Sequence, residues 1–459
     1  MLRPLAASLC HAPAAAWAVA LLLPLPACAQ PLALPAPLEN PRAIAADEDG
    51  FLAALAQRPA VGFIAALAAA ADGLPAVGES REGLAAARAQ RQQARSRLFP
   101  VAGLDVVAAD TLARDFDRPT TQFESLVPRS RADVIGSANQ LLADFGATSR
   151  RIRAGTAASE AAAADVERTR VEALLAMIGA WHEALAARGA ASIADGHVAR
   201  LARLADATTA RFAGGIDSGG DVARARAAEA AARARAADFA RRVAAADARL
   251  IELFGAVPAD LARAPRPEAA AAPADRPELI AARAQAESAD AARAAAAADR
   301  LPRLDARVTG SAFDVARTGR PDYDVRAQVT LSTRFSTGGA EAARVAELAA
   351  RARAADLATS RIAAQLAREQ AAAEAEVAAL DAALPGLTSA YLDSRRARDL
   401  FAERFRVSRG SLFDVLVAER EFFENALVLM DAEYRRDVAA WVLRARQGRL
   451  LELLPERPA

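Results

Sequence analysis

The segment YDVRAQVTLSTRF, residues 323–335, alternates strictly inside a chain otherwise written in Ala- and Arg-rich helical sequence. Tyr323, Val325, Ala327, Val329, Leu331 and Phe335 share one side with Thr333. Asp324, Arg326, Gln328, Thr330, Ser332 and Arg334 share the other. Side chains along a strand point to opposite faces in turn, so this period of two predicts a strand with one apolar and one charged face. A second such strand is expected at 304–313, where Leu304, Ala306, Val308, Gly310 and Ala312 oppose Asp305, Arg307, Thr309 and Ser311. A slip of one residue would turn Arg326 and Arg334 onto the apolar face together, so sidedness fixes the register.

This strand pair belongs to the second half of a tandem duplication. RFAGGIDSGGDVARA (211–225) lies over RFRVSRGSLFDVLVA (404–418) after a shift of 193 positions. Arg211/Arg404, Phe212/Phe405, Ser218/Ser411, Asp221/Asp414, Val222/Val415 and Ala225/Ala418 are shared. Each copy follows a long helical stretch, and each stretch follows an alternating pair. The first pair falls near 101–110 and 132–143 and is less regular, with Leu104, Val106 and Ala108 on one strand and Val134, Gly136, Ala138 and Leu142 on its neighbour. Helical hairpins are expected at 147–254 and 339–446, their first arms about 100 Å long at 1.5 Å per residue. Gly189 and Pro385-Gly386 are expected to interrupt or kink those arms. The last helix carries a stripe of Leu412, Val415, Leu416, Phe422, Phe423, Ala426, Leu427, Met430, Tyr434, Val438 and Trp441, the spacing of one core-facing side. The resulting division is a leader (1–29), an N-terminal segment with a short helix (30–96), repeat 1 (97–255), a linker with a short helix (256–299), repeat 2 (300–448) and a tail (449–459).

Composition excludes several classes. All 58 basic residues are Arg and the net charge is +1, which argues against a nucleic-acid binder built on a broad basic field. Only Cys10 and Cys28 occur, both in the leader, and His11, His182 and His197 are scattered, so neither a disulfide nor a metal or other cofactor is expected. No phosphate loop, nucleophile elbow or other catalytic motif is present, so no enzyme is expected. The stretch AAAWAVALLLPLPA reads as the apolar core of a secretory signal. ACA before Gln30 fits cleavage there, whereas LPAC resembles a lipobox that would leave Cys28 as a lipidation site; both readings stay open.

An antiparallel sheet with one wet face would satisfy the alternation by itself. The strands, however, run 10 to 12 residues, suited to a tilted membrane strand, and no further strand-rich sequence offers a second layer. A lipid-facing Arg at the bilayer midplane costs about 2–4 kcal/mol, so Asp305, Arg307, Asp324, Arg326 and Arg334 are expected to line a watery lumen. Four strands cannot close around water, and open edges in lipid are forbidden. Several copies must therefore contribute to one barrel. The expected fold is mainly α with a membrane β-barrel part, built from duplicated strand-pair and long-hairpin repeats.

Each repeat motif falls where the chain reverses. Ser218-x-x-Asp221 and Ser411-x-x-Asp414 fit helix-opening capping boxes, and Gly214, Gly215, Ser408 and Gly410 supply the preceding turns. Asp221 and Asp414 are thus helix-start residues first. In an oligomer the same turns would meet around the axis, where rings of Asp and Arg set a charge gate.

The order of parts, the stretch LSTRFSTGG and the turns SRGSLFDVLVA (408–418) and GIDSGGDVARA (215–225) resemble the TolC family of outer-membrane channels. The resemblance covers nearly everything after the leader. It implies a homotrimer whose twelve-stranded barrel sits in outer-membrane lipid and continues as a helical periplasmic tunnel. It further implies docking to a periplasmic adaptor (membrane fusion) protein and an inner-membrane RND, ABC or MFS transporter, for efflux or type I secretion. The turn residues Gly214, Gly215, Ser218, Ser408, Gly410 and Ser411 would contact the adaptor, and Asp221 and Asp414 would hold the periplasmic end shut. Gly410 and Val417 stand where the family has an Arg and a second Asp; Arg406 and Arg409 are the nearby substitutes. The rival class is a periplasmic adaptor or coiled-coil structural protein, which would carry one hairpin flanked by compact β domains.

Overall fold

The computed structural model describes residues 32–38, 41–58, 62–113, 130–270, 272–316, 322–333 and 337–454. The leader with Cys28, and the strand-end residues Arg334 and Phe335, lie outside them.

The strands β1 (Val101–Asp110), β2 (Ser130–Ala143), β3 (Arg303–Phe313) and β4 (Asp322–Ser332) form one antiparallel sheet in the order β1-β2-β3-β4. The register sets like against like. Leu304 faces Leu331, Ala306 faces Val329 and Val308 faces Ala327, while Arg307 faces Gln328 and Thr309 faces Arg326. The weaker first pair follows the same rule, with Leu104 opposite Gly136 and Val106 opposite Val134. Leu142 departs from expectation. A bulge between Leu141 and Ala143 brings Ala143, not Leu142, opposite Leu304. The extra residue falls where the strand leaves the sheet for a helix, a common place for such irregularity.

Seven of the eight α-helices among the described residues matter most to the architecture: α2 (Phe63–Ala71), α3 (Pro75–Ser96), α4 (Ala147–Ala213), α5 (Gly219–Phe254), α6 (Pro277–Ala298), α7 (Ala340–Arg406) and α8 (Leu412–Arg446). The eighth, α1 (Gly50–Ala56), is short and opens on an Asp49 cap that accepts from Phe51 N and Leu52 N. Both α4 and α7 run 67 residues without a break, so the interruptions expected at Gly189 and Pro385 do not occur. Gly189 serves packing instead: a Cβ there would lie 2.6 Å from Met430 Sδ and 3.0 Å from Leu32 Cδ1. Pro385 sits on an exposed side of α7, where water can take the helix bond its ring removes.

Helices α3, α4, α6 and α7 each abut one strand end, and they pack side by side in the order of the strands. Further from the sheet, α5 packs on α4, α4 on α8 and α8 on α7. The protomer is therefore a long wall one layer thick, whose two lateral edges are β1, α3 and α5 on one side and β4 and α7 on the other. Exposed Leu357 and Leu400 lie on α7, and Leu104 and Val106 on β1.

The main core sits midway along the wall. Leu174, Met177, Ile178 and Trp181 of α4 pack with Phe422, Phe423 and Leu429 of α8 and with Phe51, Phe63 and Leu67 from the N-terminal segment. Trp181 is fully buried and donates from Nε1 to Ala262 O at 2.9 Å, satisfying its one polar group. An ionic cluster stitches the same level. Asp437 of α8 accepts from Arg58 (3.1 Å), Arg263 and Arg266 (2.5 Å each), and Glu433 accepts from Arg263 and Arg266 at 2.6 Å. Burial works against ionisation of Asp437, but its Arg partners outweigh that and hold the carboxyl below the usual range. Among the described residues no helix is long and apolar enough to cross a membrane.

Candidate functional site

Two regions carry the sidedness and the turns. On the sheet, Asp305, Arg307, Asp324 and Arg326 all project to one face, opposite Leu304, Val308, Val325, Val329 and Leu331. The charged face is knitted together: Asp324 pairs with Arg326 at 2.6 Å, Asp305 with Arg303 at 2.8 Å, and Arg307 donates to Asn139. The apolar face is open, with Val325, Val329 and Leu331 each about two thirds exposed in the protomer (67%, 66% and 67%). Gln140 is polar on that face, as are Asp110 and Ser130 at the far ends of β1 and β2. Gln140 lies at the helix end of β2, where its Nε2 donates to Leu98 O at 3.0 Å.

At the opposite end of the wall lie the hairpin turns. Helix α4 stops at Gly214, Gly215 turns the chain at φ +73°, and Ser218 opens α5. Ser218 and Asp221 form a complete capping box: Ser218 Oγ accepts from Asp221 N and Asp221 accepts from Ser218 N, both at 3.2 Å. The Ser218 hydroxyl also donates to Asp221 at 2.7 Å, and these bonds hold the Asp221 carboxyl below its ordinary range. In the second turn Ser411 Oγ accepts from Asp414 N at 3.2 Å, while the Asp414 residue stays exposed. Ser408 takes the place of Gly215 and holds φ +59°, a left-handed conformation that costs an L side chain roughly 1–2 kcal/mol. Gly410 admits a close approach, since a Cβ there would lie 3.1 Å from Phe405 N.

Within the protomer the Arg candidates do not meet the Asp candidates. Arg406 turns back one helical turn to Glu403 at 2.8 Å. Arg409 is exposed and, among the described residues, has no carboxylate within 4.0 Å. The residue that does join the turns is Arg211. It binds Asp217 of its own turn at 2.9 and 3.0 Å, and it donates to Phe405 O at 3.1 Å and Ser408 Oγ at 3.2 Å in the other. Its guanidinium also lies 4.4 Å from the Phe405 ring centroid. The shared Arg211/Arg404 position was the available signal. Its partners lie up to 197 residues away and leave no local trace.

Above the turns, α4 and α8 share a buried polar group. Arg200 donates to Glu419 at 2.9 Å, and His197 stacks on Phe423 with ring centroids 4.4 Å apart. Burial, and then Arg200 and Arg235, push the His197 imidazole down to about 3. Glu419 lies 4.0 Å from His197 Nδ1, but Arg200 is nearer to that carboxylate and neutralises it, so the ring stays uncharged. Among the described residues no group of three His, Cys, Asp or Glu side chains could hold a metal ion.

The fold thus joins a one-sided ladder of membrane-strand length to tandem helical hairpins with capped turns. Residues 67–256 match the family described as Outer membrane efflux protein. A search of curated proteins gives no sequence match. Among solved structures, the outer-membrane channel OprN is similar over 84% of this chain and 89% of its own, at 22% identity and TM-score 0.72. The outer membrane protein VceC of Vibrio cholerae covers the same 84% and 96% of its own chain, at 19% identity and TM-score 0.72. CusC, described in terms of transmembrane channel formation, gives TM-score 0.74 at 16% identity, over 84% of this chain and 92% of its own. The fold of this chain is that of these solved channels, and the family match falls on residues 67–256.

Proposed function

We propose that this protein is the passive outer-membrane exit duct of a tripartite export system. Three copies would join edge to edge into a twelve-stranded barrel continued by a helical tunnel. The observation that carries this reading is the alignment of unpartnered edges. With this four-strand antiparallel order, β4 of one copy would run antiparallel to β1 of the next, and α7 would lie beside α3 and α5 of that same neighbour. Each such contact is heterologous and head-to-tail, the kind that closes into a ring. Closure would pair every open strand edge, as hydrocarbon requires. It would also enclose Asp305, Arg307, Asp324 and Arg326 around water and leave the apolar ladder to lipid.

The turn end would dock a periplasmic adaptor that links the duct to an inner-membrane RND, ABC or MFS transporter, which supplies the energy. Gly214, Gly215, Ser218, Ser408, Gly410 and Ser411 would shape that end, and Asp221, Asp414, Arg406 and Arg409 would ring its mouth. Arg211 would hold the two hairpins of a protomer together in the closed form. The purified protein is expected to migrate as a heat-modifiable trimer from outer-membrane extracts and to conduct ions in a planar bilayer. A soluble periplasmic monomer without conductance would instead favour the adaptor or coiled-coil class.

A further inference from the structure

The first described segment, residues 32–38, is docked far from the sheet. Leu32 and Leu34 are buried in the main core. Leu32 Cδ1 lies 3.0 Å from where a Cβ on Gly189 would stand, and Pro35 O accepts from Arg398 Nη1 at 2.8 Å. Arg398 is fully buried, so the Pro35 carbonyl satisfies a donor that water does not reach. Further along, Asp49 accepts from Tyr391 Oη at 3.2 Å and pairs with Arg395, both on α7.

This position decides between two sequence signals that lie just upstream. Ala27-Cys28-Ala29 before Gln30 fits leader cleavage, and LPAC (25–28) fits acylation of Cys28. Gly189 lies about 63 Å down α4 from Ala147, where the chain has just left the sheet. Arg398 lies about 87 Å down α7 from Ala340 by the same rise of 1.5 Å per residue. The segment therefore runs away from the sheet as it passes from Leu32 to Pro35. Cys28 precedes Leu32 by four residues, a reach of at most about 14 Å. The headgroup layer extends only about 5–8 Å beyond the hydrocarbon. Cys28 is thus held roughly 40 Å short of any lipid around the strands.

Release of Leu32 and Pro35 would not easily close that gap. Tyr391 lies about 77 Å down α7, so a lipid-bound Cys28 would need nearly every residue up to Asp49 fully extended, about 70 Å of chain. Such a path would expose Leu32 and Leu34 to water and strip the buried Arg398 of its Pro35 acceptor.

We propose that the chain is cut between Ala29 and Gln30, that Gln30 is the mature N-terminus, and that segment 32–38 fixes it to the wall in place of a lipid anchor. The inference rests on the reading of the sheet as the membrane part. Water adds across the Ala29–Gln30 amide, leaving a carboxylate on the leader and an amine on Gln30. Cys28 departs with the leader, unmodified. The mature protein is then held in the membrane by its strands alone.

The test expresses the full chain in a Gram-negative host fed radiolabelled palmitate and identifies the N-terminal peptide of the purified membrane protein by mass spectrometry. The expected peptide begins at Gln30, as the free amine or as the pyroglutamyl ring that an N-terminal Gln forms by losing ammonia. No label is expected on the protein, and C28S is expected to be cut at the same bond and to reach the membrane in the same amount. A diacylglyceryl group on Cys28, palmitate label that C28S abolishes, or a mature chain that begins beyond Leu32 overturns the inference. Planar-bilayer conductance of the same samples separates the two readings. A conducting protein with acylated Cys28 sinks the N-terminal assignment and leaves the duct; a non-conducting protein that begins at Gln30 does the reverse.

Discussion

Arg211 in the first hairpin turn donates to the backbone carbonyl of Phe405 in the second at 3.1 Å, with its guanidinium against the same residue's ring. One side chain thus spans two repeats at the tip of the wall, beside an apolar cluster of Ala205, Ala225, Phe405, Leu412 and Val415 that also joins the hairpins. Any motion that separates the hairpins must break this contact. R211A is therefore expected to raise single-channel conductance in a planar bilayer. R404A, which alters the equivalent but exposed position, is expected to conduct like the wild type. R211K retains the charge but loses the fork, and an intermediate conductance is expected. Wild-type conductance in R211A would remove the clasp from the account.

The ionic cluster at mid-wall gives a stability prediction. Asp437 is fully buried among Arg58, Arg263 and Arg266, so D437A leaves buried cations uncompensated and is expected to cost about 3–5 kcal/mol. Because the native carboxyl is held below its unfolded value, its contribution is complete above about pH 4 and is lost as pH falls through the lowered native value. Thermal unfolding in detergent across the acid range checks both points, and D437N should flatten the limb below pH 4.

His197 acts in a different window. Its folded value, about 3, lies below the unfolded one, so the unfolded chain takes up a proton first as pH falls. Stability is therefore complete above about pH 6.5 and declines between there and pH 3, by an amount on the order of 5 kcal/mol at full protonation. H197F, which keeps an aromatic ring against Phe423, is expected to remove the slope between pH 6.5 and 4 while leaving the limb of Asp437. An unchanged slope in H197F would assign it to another group.

Gly189 gives a packing prediction. A methyl group there would meet Met430 Sδ and Leu32 Cδ1, and overpacking of this kind costs roughly 1–3 kcal/mol. The helix-propensity gain of Gly to Ala, about 1 kcal/mol, offsets only part of that. G189A is expected to lower the unfolding temperature, and M430A is expected to be less harmful in the G189A background than alone. Additive effects of the two changes would contradict the contact.

The sheet was legible because its apolar and charged faces take alternate residues, and that alternation is recorded locally. The duplicated order of strand pair and long hairpin was legible for a similar reason, as two copies of one pattern. Leu142 was not, because a bulge depends on where the strand joins α4 rather than on residue type. At Gly189 and Pro385 intrinsic preference suggested breaks that the continuous helices do not have, since tertiary packing and an exposed helix side tolerate both residues. The longest-range contacts left no signal at all. Asp49 caps α1 yet also accepts from Tyr391 OH at 3.2 Å and pairs with Arg395, side chains more than 340 residues away. Arg211 and Asp437 share that character: their residue types are visible, but their partners are fixed only by the fold.

The central claim is that the two faces of β3 and β4 meet different solvents, and collision measurements on spin labels in reconstituted bilayers test it most directly. Labels at Val325, Val329 and Leu331 are expected to collide with lipid-soluble oxygen, and labels at Asp305 and Arg326 with a water-soluble nickel chelate. The reverse pattern, or water access at all five sites, would contradict a barrel built from this ladder.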